Sequence, residues 1–80
     1  MQVGMLWLDN DVRKSLYARI DRAADYYRSK YGEMPDICLV HPSMLVGEPD
    51  LTERRVAYVS VRPNLTVLPG CLWIGREEKN

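Results

Sequence analysis

One amphipathic repeat, at residues 11–31, limits what this 80-residue chain can fold into more than any other feature. Its apolar positions recur at spacings of three and four residues: Val12, Leu16, Ile20, Ala23, Tyr27 and Tyr31. Arg, Lys, Asp and Ser fill most positions between them. Asp9 or Asn10 is suited to cap the first turn, and Gly32 with Pro35 marks the end. The pattern predicts an amphipathic helix over residues 11–31 that needs an apolar surface to pack on.

Short apolar segments on both sides of this helix predict β-strands. They cover residues 3–8, 37–41, 55–62 and 71–74, with 65–68 as a further short strand or an extended link. The resulting order is β-α-β-β-(β)-β. We therefore predict an α+β fold in which one amphipathic helix packs on a mixed sheet of three to five strands. The whole chain, residues 1–80, forms a single small domain, and the charged residues 76–80 are expected to fray.

The order of elements also predicts a topology. A strand, a helix and a second strand in succession most simply form a parallel crossover between neighbouring strands. The turn signals Pro63-Asn64 and Pro69-Gly70 predict that the strands after residue 55 add as an antiparallel meander.

One helix covers only one face of such a sheet. Along residues 37–41, Ile37 and Leu39 alternate with Cys38 and Val40, so this strand is apolar on both faces. The face away from the helix is then exposed to water or covered by another chain. We therefore expect a homo-oligomer, with a dimer favoured.

Composition narrows the choice of partners and cofactors. The chain has two cysteines, Cys38 and Cys71, and His41 is its only histidine, so the sequence shows no zinc-type ligand set and predicts no cofactor. No apolar run approaches the ~18 residues of a membrane span, so no membrane partner is expected. Few cysteines and no signal-like leader predict a cytoplasmic protein whose thiols are reduced.

A polar cluster after two of the predicted strands is the weak candidate for catalysis. If strands 3–8 and 37–41 are parallel neighbours, Asp9 and Asp11 come near His41 and Ser43 at one edge of the sheet. Two carboxylates and an imidazole could hold a divalent ion or act as acid and base. The alternative interpretation is structural, in which Asp9 caps the helix and Ser43 forms a turn.

The predicted helix carries a basic set of side chains that suits nucleic-acid phosphates. These residues are Arg13, Arg19, Arg22, Arg28 and Lys30, with Tyr17 or Tyr26 placed for base stacking. Against this interpretation, Asp21 and Asp25 interrupt the helix and the net charge of the chain is zero. Local pairs such as Asp9–Arg13 and Asp25–Arg28 explain the pattern equally well.

Taken together, these features favour a non-enzymatic interaction module that associates with itself through its sheet and helix. Nucleic-acid binding through the basic helix face is the first alternative. A small metal-dependent enzyme using Asp9, Asp11 and His41 is the second.

Overall fold

The computed structural model describes residues 3–9, 11, 13–47 and 59–77. These residues form one helix and a four-stranded mixed sheet, which confirms the predicted α+β class. The elements in chain order are β1 (Val3–Leu8), α1 (Leu16–Tyr31), β2 (Ile37–Val40), a 3₁₀ turn (Pro42–Leu45), β3 (Ser60–Pro63) and β4 (Cys71–Arg76).

Helix α1 begins later than the apolar repeat predicts. Its N-cap is Ser15, whose side-chain oxygen accepts a hydrogen bond from the backbone N–H of Ala18 at 3.1 Å. The expectation that Asp9 caps the helix is wrong, because Asp9 instead accepts from the N–H of Asp11 at 3.3 Å. Asn10 and Val12 lie outside the described residues.

The end of α1 is as predicted. Gly32 adopts the left-handed conformation with φ 72°, and its N–H donates to the carbonyl of Arg28. A left-handed residue at this position favours glycine, since it has no β-carbon to clash with the backbone.

The strand order is β1-β4-β2-β3, which corrects two of the predicted pairings. Strands β1 and β2 run in the same direction because both pair antiparallel with β4, but β4 lies between them. The predicted C-terminal meander is wrong, since β3 pairs parallel with β2 and does not contact β4 as a neighbour.

The insertion of β4 has a physical cause. Its residues 71–74 are all apolar, so the strand is suited to the middle of a sheet, where both of its edges are paired. The link formed by residues 64–70 is long enough to pass the end of β2, because it spans only two strand spacings of ~4.8 Å each.

Several other boundaries differ from the predictions. Strand β2 ends at Val40, and His41 caps the 3₁₀ turn that follows. Residues 65–68 form turns and no strand. Of the predicted third strand, residues 55–58 lie outside the described part, whereas Val59 forms a bridge and β3 follows it.

The predicted fraying of residues 76–80 is wrong for the first two of them. Arg76 ends β4, and its guanidinium donates to the carbonyl of Met34 at 3.0 Å. The N–H of Glu77 donates to the Asp36 carboxylate at 2.9 Å. Residues 78–80 lie outside the described part of the chain.

The core lies between α1 and one face of the sheet. Its buried members from the helix are Leu16, Ile20, Ala23, Ala24 and Tyr27, and those from the strands are Cys38, Val40, Val59, Val61, Leu72 and Ile74. The helical members have the three- and four-residue spacing of the sequence repeat. The strand members alternate, so each strand has one face on the helix and the other face turned away.

Candidate interaction surface

The sheet face turned away from α1 carries a row of side chains set by the strand register. In that register Leu6 of β1 is paired with Trp73 of β4, Trp73 with Leu39 of β2, and Leu39 with Arg62 of β3. These four residues alternate with the core residues of their strands, so they project from the opposite face. We call Leu6, Leu8, Leu39 and Trp73 the open face.

Exposure of the open face is greatest on β1. The side chains of Leu6 and Leu8 are 65% and 69% exposed, whereas Leu39 and Trp73 are half-buried. Ile37, which projects from the same side, is only 8% exposed. On β2, from whose residues the second apolar face was predicted, Ile37 is buried and Leu39 is half-buried, and the most exposed part of this face lies on β1 instead.

Trp73 packs closely on Gly4, which has no side chain to exclude the indole. A β-carbon built on Gly4 would come within 2.7 Å of Trp73 Cε2 and 2.6 Å of the Ile74 carbonyl oxygen. The indole therefore occupies the space that a side chain at position 4 would need. This packing places the indole beside Leu6, the register partner of Trp73.

More apolar side chains are exposed where β1 ends and β4 begins. Leu8 is the register partner of Cys71, and the link that precedes Cys71 exposes Leu65 by 79% and Leu68 by 69%. The topology places this link at the same end of the sheet as Leu8. The apolar surface therefore extends from the open face toward this end.

The four polar residues considered for catalysis fall into separate local motifs. Asp9 and His41 follow β1 and β2, and β4 lies between these strands, so the strand ends are about 10 Å apart. The N–H of Ser43 donates to His41 Nδ1 at 3.1 Å, and Ser43 Oγ lies 2.8 Å from the same nitrogen. This is the geometry of a turn cap.

Asp11 is also engaged locally. Its carboxylate accepts from the side-chain Nε of Arg13 at 3.0 Å and from the Arg13 backbone N–H at 3.0 Å. The hydrogen bond from the Arg13 side chain lowers the pKa of the Asp11 carboxyl below its usual 3.8. Within the described residues, no group of three His, Cys, Asp or Glu side chains is placed to hold a metal ion.

The basic residues of the predicted helix do not form one continuous face. Arg13 precedes α1 and pairs with Asp11 rather than with Asp9. By helical spacing, Arg19, Arg22 and Lys30 share one flank of α1, and Arg28 lies on the other. The described residues show no ion pair between Asp25 and Arg28, which sequence reasoning had allowed.

Arg28 instead borders a shallow cavity that sequence reasoning missed. The cavity has a volume of about 550 Å³ and is lined by Arg28, Met34, Pro35, Asp36 and Arg76. Arg28 and Arg76 are far apart in the chain, and no periodic signal connects them. Only the docking of β4 beside β2 brings the two side chains together.

The two cysteines differ in their environment, although both are free thiols. Cys38 is fully buried on the helix side, and burial raises the pKa of its thiol to about 12. Cys71 is half-buried on the other face. Cys38 therefore packs as a small apolar side chain of the core, whereas Cys71 keeps contact with solvent.

No described helix is both long and apolar enough to cross a membrane. Searches of protein-family models, curated proteins and solved structures gave no match to this chain. The large apolar side chains that the described residues expose include Leu6 and Leu8 of the open face.

Proposed function

We propose that this protein is a non-enzymatic interaction module that forms a homodimer through the open face of its sheet. The observation that carries this proposal is the exposure of Leu6 and Leu8 beside Trp73, on the face that α1 does not cover. Removing such a face from water is the main driving force of protein association.

The shape of the open face supports packing against a second copy. Trp73 packs over Gly4 and lies between Leu6 and Leu39 in the strand register, so three apolar side chains are adjacent on this face. Two sheets pack face to face at a distance of ~10 Å when their side chains interdigitate. A two-fold axis would place the same leucines and tryptophan opposite each other.

The expected affinity is modest. Burying a leucine side chain fully contributes ~1.5–3 kcal/mol of free energy. Leu6 and Leu8 are about two-thirds exposed, so the four such side chains of a dimer contribute on the order of 4–8 kcal/mol when they are buried. Association itself costs an estimated ~4–15 kcal/mol. Contacts of Trp73 and Leu39 are therefore needed, and we expect a dimer with a dissociation constant of roughly micromolar or weaker.

Light scattering after size-exclusion chromatography tests the proposal. Over a concentration series extending to several hundred micromolar, the mass should rise toward twice the 9.3 kDa of one chain. Leu8→Lys should keep the protein monomeric, since it places a charge on the open face while disturbing no core contact. Tyr17→Lys is the matched control, because Tyr17 is 55% exposed on α1, on the other side of the sheet.

The proposal fails if the mass stays at that of one chain throughout this series. It also fails if Leu8→Lys and Tyr17→Lys change the mass equally, since association would then not depend on the open face.

A further inference from the structure

Strand β1 has an unpaired edge among the described residues. It lies at the end of the sheet, with β4 on one side only. The N–H of Asp9 donates to the carbonyl of Gly70, its register partner, at 3.1 Å. Because hydrogen-bonded pairs alternate along an antiparallel ladder, the backbone groups of Gly4, Leu6 and Leu8 point away from β4. This edge therefore offers donors and acceptors to an added strand.

A basic flank of α1 lies on the same side of the molecule. It consists of Arg19, Arg22 and Lys30. Arg22 and Lys30 lie four residues before and after Tyr26, and Arg19 lies three residues before Arg22, so all share one flank of the helix. Two contacts fix its orientation. Arg19 donates to the carbonyl of Asp11, just beyond β1, at 2.6 Å, and the ring of Tyr26 lies 4.9 Å from that of Trp7 in β1.

The cations of this flank form no salt bridge with a carboxylate among the described residues. The described residues show no ion pair that involves Arg22 or Lys30. The Lys30 ammonium lies 5.4 Å from the centre of the Tyr31 ring, a contact that leaves its charge in place. An occupant of the β1 edge would therefore lie beside a positive surface.

This charge disfavours a second copy at the β1 edge. Antiparallel pairing of two β1 strands would continue the sheet and put both helices on the same side of it. Each α1 packs over β4, so the two helix axes would lie about 14 Å apart, three strand spacings, with their basic flanks facing. Like charges at that distance repel. The edge is therefore suited to a partner of opposite charge.

We propose that the free edge of β1 and the basic flank of α1 together bind an extended acidic peptide, which adds to the sheet as a fifth strand. Side chains alternate along a strand, so every second residue of the peptide would face Arg19, Arg22 and Lys30 and is acidic. The residues between them lie beside Leu6 and Leu8 and are apolar. The ligand class is a segment in which Asp or Glu alternates with Val, Ile or Leu.

Fluorescence anisotropy with two synthetic peptides tests the charge requirement. One fluorescently labelled octapeptide alternates Glu with Val, and the other alternates Lys with Val. Titration with the full chain should give saturable binding of the Glu peptide only, and binding should weaken as salt rises. Arg22→Glu combined with Lys30→Glu should weaken it at least fivefold. Arg28→Glu, on the opposite flank, should change it less than twofold.

A second pair of variants tests the strand edge. Leu6→Pro removes a backbone N–H that points to the free edge and leaves the hydrogen bonds to β4 intact. It should weaken binding of the Glu peptide at least tenfold. Leu6→Val keeps the N–H and an apolar side chain, and it should bind within twofold of the original protein. Circular dichroism of each variant checks the fold, and the charge variants decide the question if Leu6→Pro does not fold.

Three results would each overturn the proposal. The first is no binding of the Glu peptide at 1 mM protein, and the second is equal binding of the Lys peptide. The third is displacement of the Glu peptide by a ten-nucleotide thymidine oligomer, together with full binding by a folded Leu6→Pro variant. That result would show that the flank recognises phosphate and that the backbone edge has no part.

Discussion

The indole of Trp73 lies on the α-carbon of Gly4, in the space that a side chain at position 4 would fill. Gly4→Ala would place its β-carbon 2.7 Å from Trp73 Cε2 and 2.6 Å from the Ile74 carbonyl oxygen. Overpacking of this kind costs about 1–3 kcal/mol of folding free energy. Urea unfolding of Gly4→Ala should show a loss in the upper part of that range, since the carbonyl belongs to the backbone and cannot rotate away.

A double-mutant cycle separates the two contacts of Gly4. In a Trp73→Ala background, the cost of Gly4→Ala should fall, because the indole is gone, but it should not vanish, because the carbonyl of Ile74 stays. An equal cost in both backgrounds would contradict the packing of Trp73 on Gly4.

Ser15 begins α1, and its removal should weaken the helix. Ser15→Ala loses the hydrogen bond from the Ala18 N–H to Ser15 Oγ at 3.1 Å. Loss of an N-cap costs about 1 kcal/mol. Urea unfolding should show this decrease for Ser15→Ala. The matched control is Ser29→Ala on the exposed part of α1, where alanine's higher helix propensity should leave stability unchanged or slightly raised. Equal effects of the two changes would show that Ser15 is not the cap.

The two thiols should react at different rates. Cys38 is fully buried and Cys71 is half-buried, so iodoacetamide at pH 8 should modify Cys71 first and Cys38 only on unfolding. Mass spectrometry should detect one adduct on the native protein and two in urea. Cys71→Ser should abolish the native adduct. Rapid double labelling without denaturant would contradict the burial of Cys38.

The environment of Cys38 also predicts a loss of stability in alkali. Burial raises the pKa of its thiol from 9.0 to about 12, so the folded state disfavours the thiolate. The unfolded chain releases this proton near pH 9, and unfolding is favoured as the pH rises above that value. In urea unfolding between pH 8 and 11, Cys38→Ala should show a smaller decrease than the original protein. Parallel decreases would contradict this assignment.

Asp11 gives the opposite dependence on pH. The hydrogen bond from the Arg13 side chain lowers the pKa of the Asp11 carboxyl in the folded state. The ionised carboxylate therefore stabilises the folded state at pH values above 3.8, the pKa of the unfolded chain. This stabilisation is lost as the pH falls through the lower pKa of the folded state. The difference in urea midpoint between the original protein and Asp11→Asn should therefore narrow in acid. A difference that stays constant from pH 6 to pH 2 would contradict the lowered pKa.

The helix and the class of fold were within reach of sequence reasoning because both depend on local patterns. The apolar repeat from Leu16 to Tyr31 indicates a helix, and the glycine at position 32 indicates where it ends. The start of α1 was misjudged, since residues 9–11 offer three cap-like side chains and the helix uses Ser15 instead. Several nearby polar residues can cap equally well in isolation, and the packing of the whole helix selects among them.

The site candidates show the same division. Asp9 and His41 follow strands of the same direction, as the sequence suggested, but β4 separates them. The distance between Asp9 and His41 depends on which strand occupies the middle of the sheet, and the residues near Asp9 and His41 give no indication of the strand order. The basic residues of α1 could be recognised from the sequence, whereas their position beside the outer edge of β1 could not.

Local sequence patterns were sufficient to define the periodic elements of this protein: one amphipathic helix, apolar strands and the glycine that ends the helix. These follow from the chemistry of neighbouring residues, which acts over a few positions of the chain. The pairing of β4 with both β1 and β2 follows only from the tertiary structure. The same is true of the exposure of Leu6 and Leu8 and of the position of the β1 edge beside the basic flank of α1. Strand pairing joins residues distant in the chain, and it is chosen by the burial of the whole sheet.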